Sequence, residues 1–160
     1  MKLEELLDSW KLDCKIDDTD LDVESLNIPL LHGKYLKHYY QAKLTLKSLK
    51  IKQKTWSKTL GEYYRGELNN PEDLNELSRE PWPKVILKQD VPNYIEADKD
   101  MIKLISKIAY QEELVGCCED ILKNINNRGF QIRAAIDWRR LTQFGGSWYS
   151  DNRTLKWSTR

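Results

Sequence analysis

Lys43, Lys47, Lys50 and Lys54 recur at alternating spacings of four and three, Lys58 continues the line, and Arg65 lies two helical turns beyond it. On a helix that rhythm places all six cations on one side. They belong to a stretch, Ser25 to Gly61, that holds eight lysines (Lys34, Lys37 and Lys52 complete the set) and no acidic residue. A concentrated positive field of this kind calls for an anionic partner. Lysine binds phosphate as a point charge and carries no base preference. Tyr39, Tyr40, Trp56, Tyr63 and Tyr64 are interleaved with the cations. A base stacked on such a ring gains roughly 1–3 kcal/mol whatever its identity. Cations for the backbone and rings for unpaired bases suit single strands bound without regard to sequence. Tyr39, Trp56 and Tyr63 also fall on the helix's apolar side, where core packing is the first expectation.

Other chemistries find little support. There is no Gly-x-x-x-x-Gly-Lys-Ser/Thr phosphate loop and no Gly-x-Ser-x-Gly nucleophile elbow. The only histidines, His32 and His38, have no carboxylate within one turn. Asp18-x-Asp20-x-Asp22 has calcium-loop spacing, but Val23 and Pro29 stand where the loop needs Gly and Glu. Cys14, Cys117 and Cys118 form no Cys-x-x-Cys, so no zinc site is expected, and no cofactor. A metal-dependent nuclease would look first to Asp98 and Asp100; Glu112-Glu113 and Glu119-Asp120 lie on a helix whose other faces are needed for packing.

The net charge of +1 conceals alternating blocks. Residues 1–24 carry three lysines against nine acids, 25–61 are +8, 62–100 are −5, 101–127 are −1 and 128–160 are +5. The acidic blocks at 1–24 and 62–80 are candidate protein contacts, and the first could also lie on basic surface and compete with its ligand. With 160 residues, 32% charged, and a mean hydropathy of −0.69, the chain fits one domain or two small ones with long exposed helices. Residues 1–15 lack the apolar segment of a secretory leader, and no apolar run spans a bilayer, so a reducing, cytoplasmic setting without membrane contact is expected.

The elements that must position these residues are helical. Leu3, Leu6, Leu7 and Trp10 mark a short amphipathic helix over 2–12, followed by an acidic connector. Asn27 to Pro29 reads as a helix start, with Gly66 and Asn69-Asn70-Pro71 stopping the helix near Tyr64. Along it Tyr35, Tyr39, Ala42, Leu46, Leu49, Gln53, Trp56, Leu60 and Tyr63 form a heptad-like seam. Residues 67–83 read as loop with one turn at 73–77, and 84–89 as a short strand or extended arm. Asp98 or Asp100 then caps a second long helix to about Asn126, with the seam Leu104, Ile108, Gln111, Val115, Cys118, Leu122 and Ile125. Asn126 to Gly129 reads as its end. A third helix over 132–144 is stopped by Gly145-Gly146, leaving a mobile tail at 147–160. The two seams suggest pairing between subunits, with an intramolecular hairpin as the alternative. The fold class is therefore mostly α, with elongated helices, at most one short strand, and C-terminal helices assembling a homo-oligomer. The regions are a basic helical one with an acidic arm (1–83), a C-terminal helical one for oligomerisation (84–146), and the tail.

Four segments carry a family resemblance: Leu31-His32-Gly33-Lys34-Tyr35-Leu36; Lys58 with Tyr63-Tyr64-Arg65-Gly66; Ala97-Asp98-Lys99-Asp100; and Asn127-Arg128-Gly129-Phe130-Gln131-Ile132-Arg133. In order and spacing the chain resembles the UvsY family of tailed-phage recombination mediators, from Met1 to about Gly66 and from about Val85 to Gly146. The resemblance implies a non-catalytic single-stranded-DNA-binding protein of phage origin, acting in the host cytoplasm. It implies rings of about six or seven copies held through the C-terminal helices. Such proteins weaken the grip of the phage single-stranded-DNA-binding protein and load the phage strand-exchange recombinase. Lys58 falls on a basic family position used for DNA. The second basic position of that motif is Leu60 here, so Lys54 or Arg65 would supply the charge. The DNA-binding set is thus Lys43, Lys47, Lys50, Lys54, Lys58 and Arg65, with Arg128, Arg133, Arg139 and Arg140 as the fallback. The rival class is a structural coiled-coil oligomer whose basic helix binds an acidic protein or RNA.

Overall fold

The structure, a computed structural model, describes residues 2–150, with side chains to Gln143. Among the described residues it holds five helices and no strand: α1 (Leu3–Asp13), α2 (Leu21–Tyr64), α3 (Pro71–Leu77), α4 (Val91–Glu96) and α5 (Lys99–Ser150). The described residues form two compact units, 2–38 with 117–150, and Tyr39–Gly116.

In the first unit, α1 lays Leu6 into the core with Leu3 and Trp10 half-buried, while Leu7 faces water, so three of the four expected positions point inward. Trp10 meets Tyr35 edge-on at 5.4 Å. The Tyr35 hydroxyl donates to Asp13 at 2.9 Å, and Lys34 pairs with the same carboxylate. Burial pushes the Tyr35 phenol up to about 12. Burial also opposes the Asp13 charge, but the bonds from Lys34 and Tyr35 outweigh it and hold this carboxyl below its usual range.

α2 starts at Leu21 rather than at Asn27, and Pro29 lies inside it. Leu21 is buried, Glu24 closes the first turn on the Asp20 carbonyl at 3.0 Å, and its carboxylate is paired with Arg128. These contacts outweigh the loss of one helical hydrogen bond at the proline. The expected break at Asn126–Gly129 is also absent: α5 runs through it and on through Gly145-Gly146 to Ser150. Ile125, Arg128 and Ile132 are all buried, so packing overrides a weak local propensity. Residues 147–150 are therefore helical, and the rest of the expected tail, 151–160, lies outside the described residues.

Arg128 shows what holds the acidic connector. One nitrogen donates to the carbonyls of Asp13 and Cys14 at 3.1 Å each, the other to the carbonyl of Lys15 and the carboxylate of Glu24. Arg139 pairs with Asp18, and Asp22 lies within α2, so the spaced aspartates of the connector do not converge.

In the second unit the C-terminal half of α2 ends as expected. Gly66 takes φ +73°, its N–H reaches the Tyr63 carbonyl at 3.0 Å, and the Glu67 N–H reaches Glu62 at 3.0 Å. This is a Schellman ending, which glycine accommodates without strain. Leu60, Tyr63, Tyr64, Leu74, Val91 and Met101 form the core, with Trp56, Trp82, Ile86 and Ile95 packed on it. Residues 84–89 are an irregular segment rather than a strand, ending in a turn in which the Asp90 N–H reaches the Leu87 carbonyl at 2.9 Å. Ile86 anchors it while Val85 and Leu87 face water, and no neighbouring backbone offers a ladder. α4, which the sequence reading does not anticipate, follows with Pro92 in its first turn.

The two seams are buried as the spacing predicts: every one of their positions is buried or half-buried. Within this unit they meet inside one chain. Gln111 donates to the Ala42 carbonyl at 3.0 Å, and Glu112 reaches Lys50 at 2.7 Å. The stretch from Ala42 to Tyr63 therefore packs intramolecularly within this unit, as the hairpin alternative has it.

Candidate nucleic-acid interface

Burying the seam of α2 fixes what the helix shows to water. One turn is about 3.6 residues, so positions one step beyond the seam are rotated by about 100° and flank it. Lys43, Lys47, Lys50, Lys54, Lys58 and Arg65 are all exposed. The helix thus brings the six expected cations onto one accessible side of the second unit. Leu60 is fully buried in the core.

Their electrostatic situations differ. Lys43 donates to the Tyr39 hydroxyl at 2.8 Å and lies 5.0 Å from that ring's centre. Lys50 pairs with Glu112, Lys58 stands 3.8 Å from Glu62, and Arg65 pairs with Glu67 at 2.6 Å. Lys47 and Lys54 have no acidic partner among the described residues. Exposed pairs of this kind contribute at most about 1 kcal/mol, so phosphate can displace them.

The rings divide. Tyr63 and Tyr64 are buried and Trp56 is half-buried against the core, so all three serve packing, as the seam argument favours for two of them. Tyr40 is exposed, beside the cations. Three further side chains join it in an open groove of about 570 Å³: Leu44 and Ile51, both exposed, and the half-buried Leu46. Lys43, Lys47, Lys50 and Lys54 line the same groove. Leu44 and Ile51 are absent from the sequence-based set. Their signal is nevertheless present, since Tyr40, Leu44 and Ile51 stand four and seven residues apart on the side opposite the seam.

The fallback arginines do not form an equivalent site. Arg128 is buried and fully engaged by the connector, and Arg139 is paired with Asp18. Arg133 and Arg140 line a separate hollow of the first unit with Phe130 and Ile136.

The carboxylates a nuclease would need are also engaged. Asp98 is buried and accepts from Arg79, from the Tyr64 hydroxyl at 2.8 Å, and from the Asp100 and Met101 backbone N–H groups. Burial opposes its charge, but these donors, Arg79 first, bring the carboxyl down to about 2. Burial and the Asp98 charge push Tyr64 up to about 12. Asp98 thus caps α5, as expected, and ties it to the α3–α4 segment. Asp100 binds Arg79 at 2.8 Å. His38 is half-buried, and burial together with Lys34 and Lys37 lowers its pKa, which disfavours the protonated ring.

Comparison with known proteins bears on this arrangement. A family model for the recombination, repair and single-stranded-DNA-binding protein UvsY matches residues 9–145. The chain is 30% identical over 139 residues to the recombination protein uvsY of Enterobacteria phage T4, an alignment covering 87% of this chain and 96% of that one. Crystal structures of the bacteriophage T4 recombination mediator protein UvsY superpose with a TM-score of 0.77 at 27% identity in one lattice and 0.75 at 26% in another. The first covers 88% of this chain and 99% of the other, the second 86% and 98%.

Proposed function

The chain belongs to the UvsY family of recombination, repair and single-stranded-DNA-binding proteins, and from that premise we propose that it is a recombination mediator gripping single-stranded DNA along the exposed basic side of α2. The observation that carries this reading is the shared exposure of Lys43, Lys47, Lys50, Lys54, Lys58 and Arg65 on one helix. On this reading the DNA displaces the weak surface pairs, and each neutralised phosphate releases a counterion. Affinity then falls with salt at a slope of about −0.7 per contact.

In the same reading copies of the chain assemble as a ring of about six or seven through the C-terminal region 84–146, with 1–83 supplying the DNA-binding side. A ring repeats the basic side, so strand binding becomes multivalent and the effective concentration of sites is high. Wrapping a strand over several subunits bends it, which weakens the hold of a single-stranded-DNA-binding protein that needs it straighter. The strand-exchange recombinase loads on the exposed DNA. The protein acts in the cytoplasm of the phage's host and catalyses no reaction itself.

Fluorescence polarisation with a labelled mixed-sequence single strand, against duplex and RNA of equal length, tests the reading. Tighter binding of the single strand with a steep salt dependence supports it. Failure to bind the single strand in dilute buffer overturns it. Preference for RNA or an acidic protein favours the structural coiled-coil alternative. Native mass measurement gives the subunit number.

A further inference from the structure

We propose that the choice of single strands over duplex is made by an apolar ridge on α2, formed by Tyr40, Leu44 and Ile51, which receives unpaired bases while the flanking lysines hold phosphates. This rests on the reading that the basic side of α2 binds single-stranded DNA, and adds which residues recognise that the strand is unpaired.

Three observations carry it. First, the ridge stands outside the core: Leu44 and Ile51 are exposed, and Tyr40 meets the seam only through an edge-on contact with Tyr39 at 5.2 Å. Tyr40, Leu44 and Ile51 are 55%, 67% and 58% exposed on a helix whose seam buries its opposite side. Large apolar side chains held in water beside a charged stripe mark a contact surface. Second, they share one groove with Lys43, Lys47, Lys50 and Lys54, so apolar and cationic groups face the same occupant. From Tyr40 to Ile51 the ridge covers about 16 Å of helix, long enough for more than one nucleotide. Third, charge selects the occupant. Residues 25–61 contain no acid, and Lys47 and Lys54 have no carboxylate partner among the described residues. The occupant must be anionic along one edge and apolar along the other.

Single-stranded DNA has that form. Its phosphates are repeated and its base faces are bare. A duplex presents the same phosphates but hides its base faces in the stack, so it satisfies the lysines and leaves the ridge wet. The lysines alone cannot tell the two apart, because they bind phosphate as point charges. An amphipathic acidic peptide is the competing occupant.

The test uses the full chain with Tyr40→Ala, Leu44→Ala and Ile51→Ala combined. Alanine favours helix and the sites are exposed, so helicity by circular dichroism and the oligomeric mass should be retained. The probes are a mixed-sequence single strand and an abasic strand of equal length. The unsubstituted protein should bind the mixed strand roughly tenfold or more tighter than the abasic one. The triple variant should lose that margin, binding the abasic strand as before and with the same salt slope. Equal losses on both strands, or no loss on the mixed strand, overturn the proposal. So does loss of an acidic amphipathic peptide by the variant while DNA binding stays intact. Failure of the parent reading looks different: the unsubstituted protein would then bind neither strand, or Lys47→Ala with Lys54→Ala would leave the salt slope unchanged.

Discussion

Arg79 grips Asp98 with both arms of its guanidinium, Nη1 2.7 Å from Oδ2 and Nη2 3.0 Å from Oδ1. The pair is mostly out of water, at 16% and 4% side-chain exposure. Removing one partner of a buried pair leaves the other charge unmatched. Asp98→Asn should therefore destabilise the fold by about 3 kcal/mol in urea titrations at neutral pH.

The same pair sets an acid response. The Asp98 carboxyl drops from its ordinary 3.8 to about 2 in the folded chain. A lowered carboxyl stabilises the fold above its unfolded value and loses that contribution as pH falls through its folded value. About 2 kcal/mol should disappear between roughly pH 4 and pH 2. Urea midpoints across that range should fall in the native protein, and less in Asp98→Asn.

Among the described residues Lys47 and Lys54 have no acidic partner, whereas Lys50 is paired with Glu112. Lys47→Ala with Lys54→Ala should reduce the salt slope of single-strand binding by about 1.4, two contacts' worth. Glu112→Gln frees Lys50 and should tighten binding. Polarisation titrations at several salt concentrations measure both, and weakened binding in Glu112→Gln would exclude Lys50 from the contact.

Two glycines should respond with opposite signs. Gly66 sits at φ +73°, and Gly66→Ala should lower stability by about 1 kcal/mol. Gly129 lies within continuous α5, where an added Cβ meets Ile28 at an ordinary 3.9 Å. Gly129→Ala should raise stability by about 1 kcal/mol. A loss at Gly129 instead would indicate a helix end there.

Arg128→Gln should release the connector and cost about 3 kcal/mol, because it strips charged donors from three carbonyls and a carboxylate. Limited proteolysis should open between residues 14 and 20. Single-strand affinity should be unaltered, since Arg128 is buried in the first unit and is not among the proposed contact residues.

Periodicity made the seams legible, and with them the exposed lysines, because burying Ala42, Leu46, Leu49 and Leu60 rotates Lys43, Lys47 and Lys50 outward whatever else the chain does. The ends of the helices were legible only where the signal was local. Gly66 stops α2 through its own dihedral angle, but Asn126–Gly129 stops nothing, because Arg128 answers to residues more than a hundred positions earlier. Asn27–Pro29 misled for the same reason: the true start at Leu21 depends on that distant arginine and on burial. The pairing of Lys50 with Glu112 was equally hidden, since neither neighbourhood announces the other. Leu44 and Ile51 were overlooked for a different cause. An apolar residue on a long helix reads as core until the core has been assigned to the opposite side.

Arg128 clasps main-chain oxygens at positions 13, 14 and 15, not the side chains those positions bear. Such a fastening is indifferent to spelling. Cys14 and Lys15 are exposed and can drift through most of the alphabet without loosening it, proline and its altered backbone excepted. Arg128 and Glu24 have no such licence. Descendants of this chain could therefore carry connectors that no alignment would match and still close the same buckle.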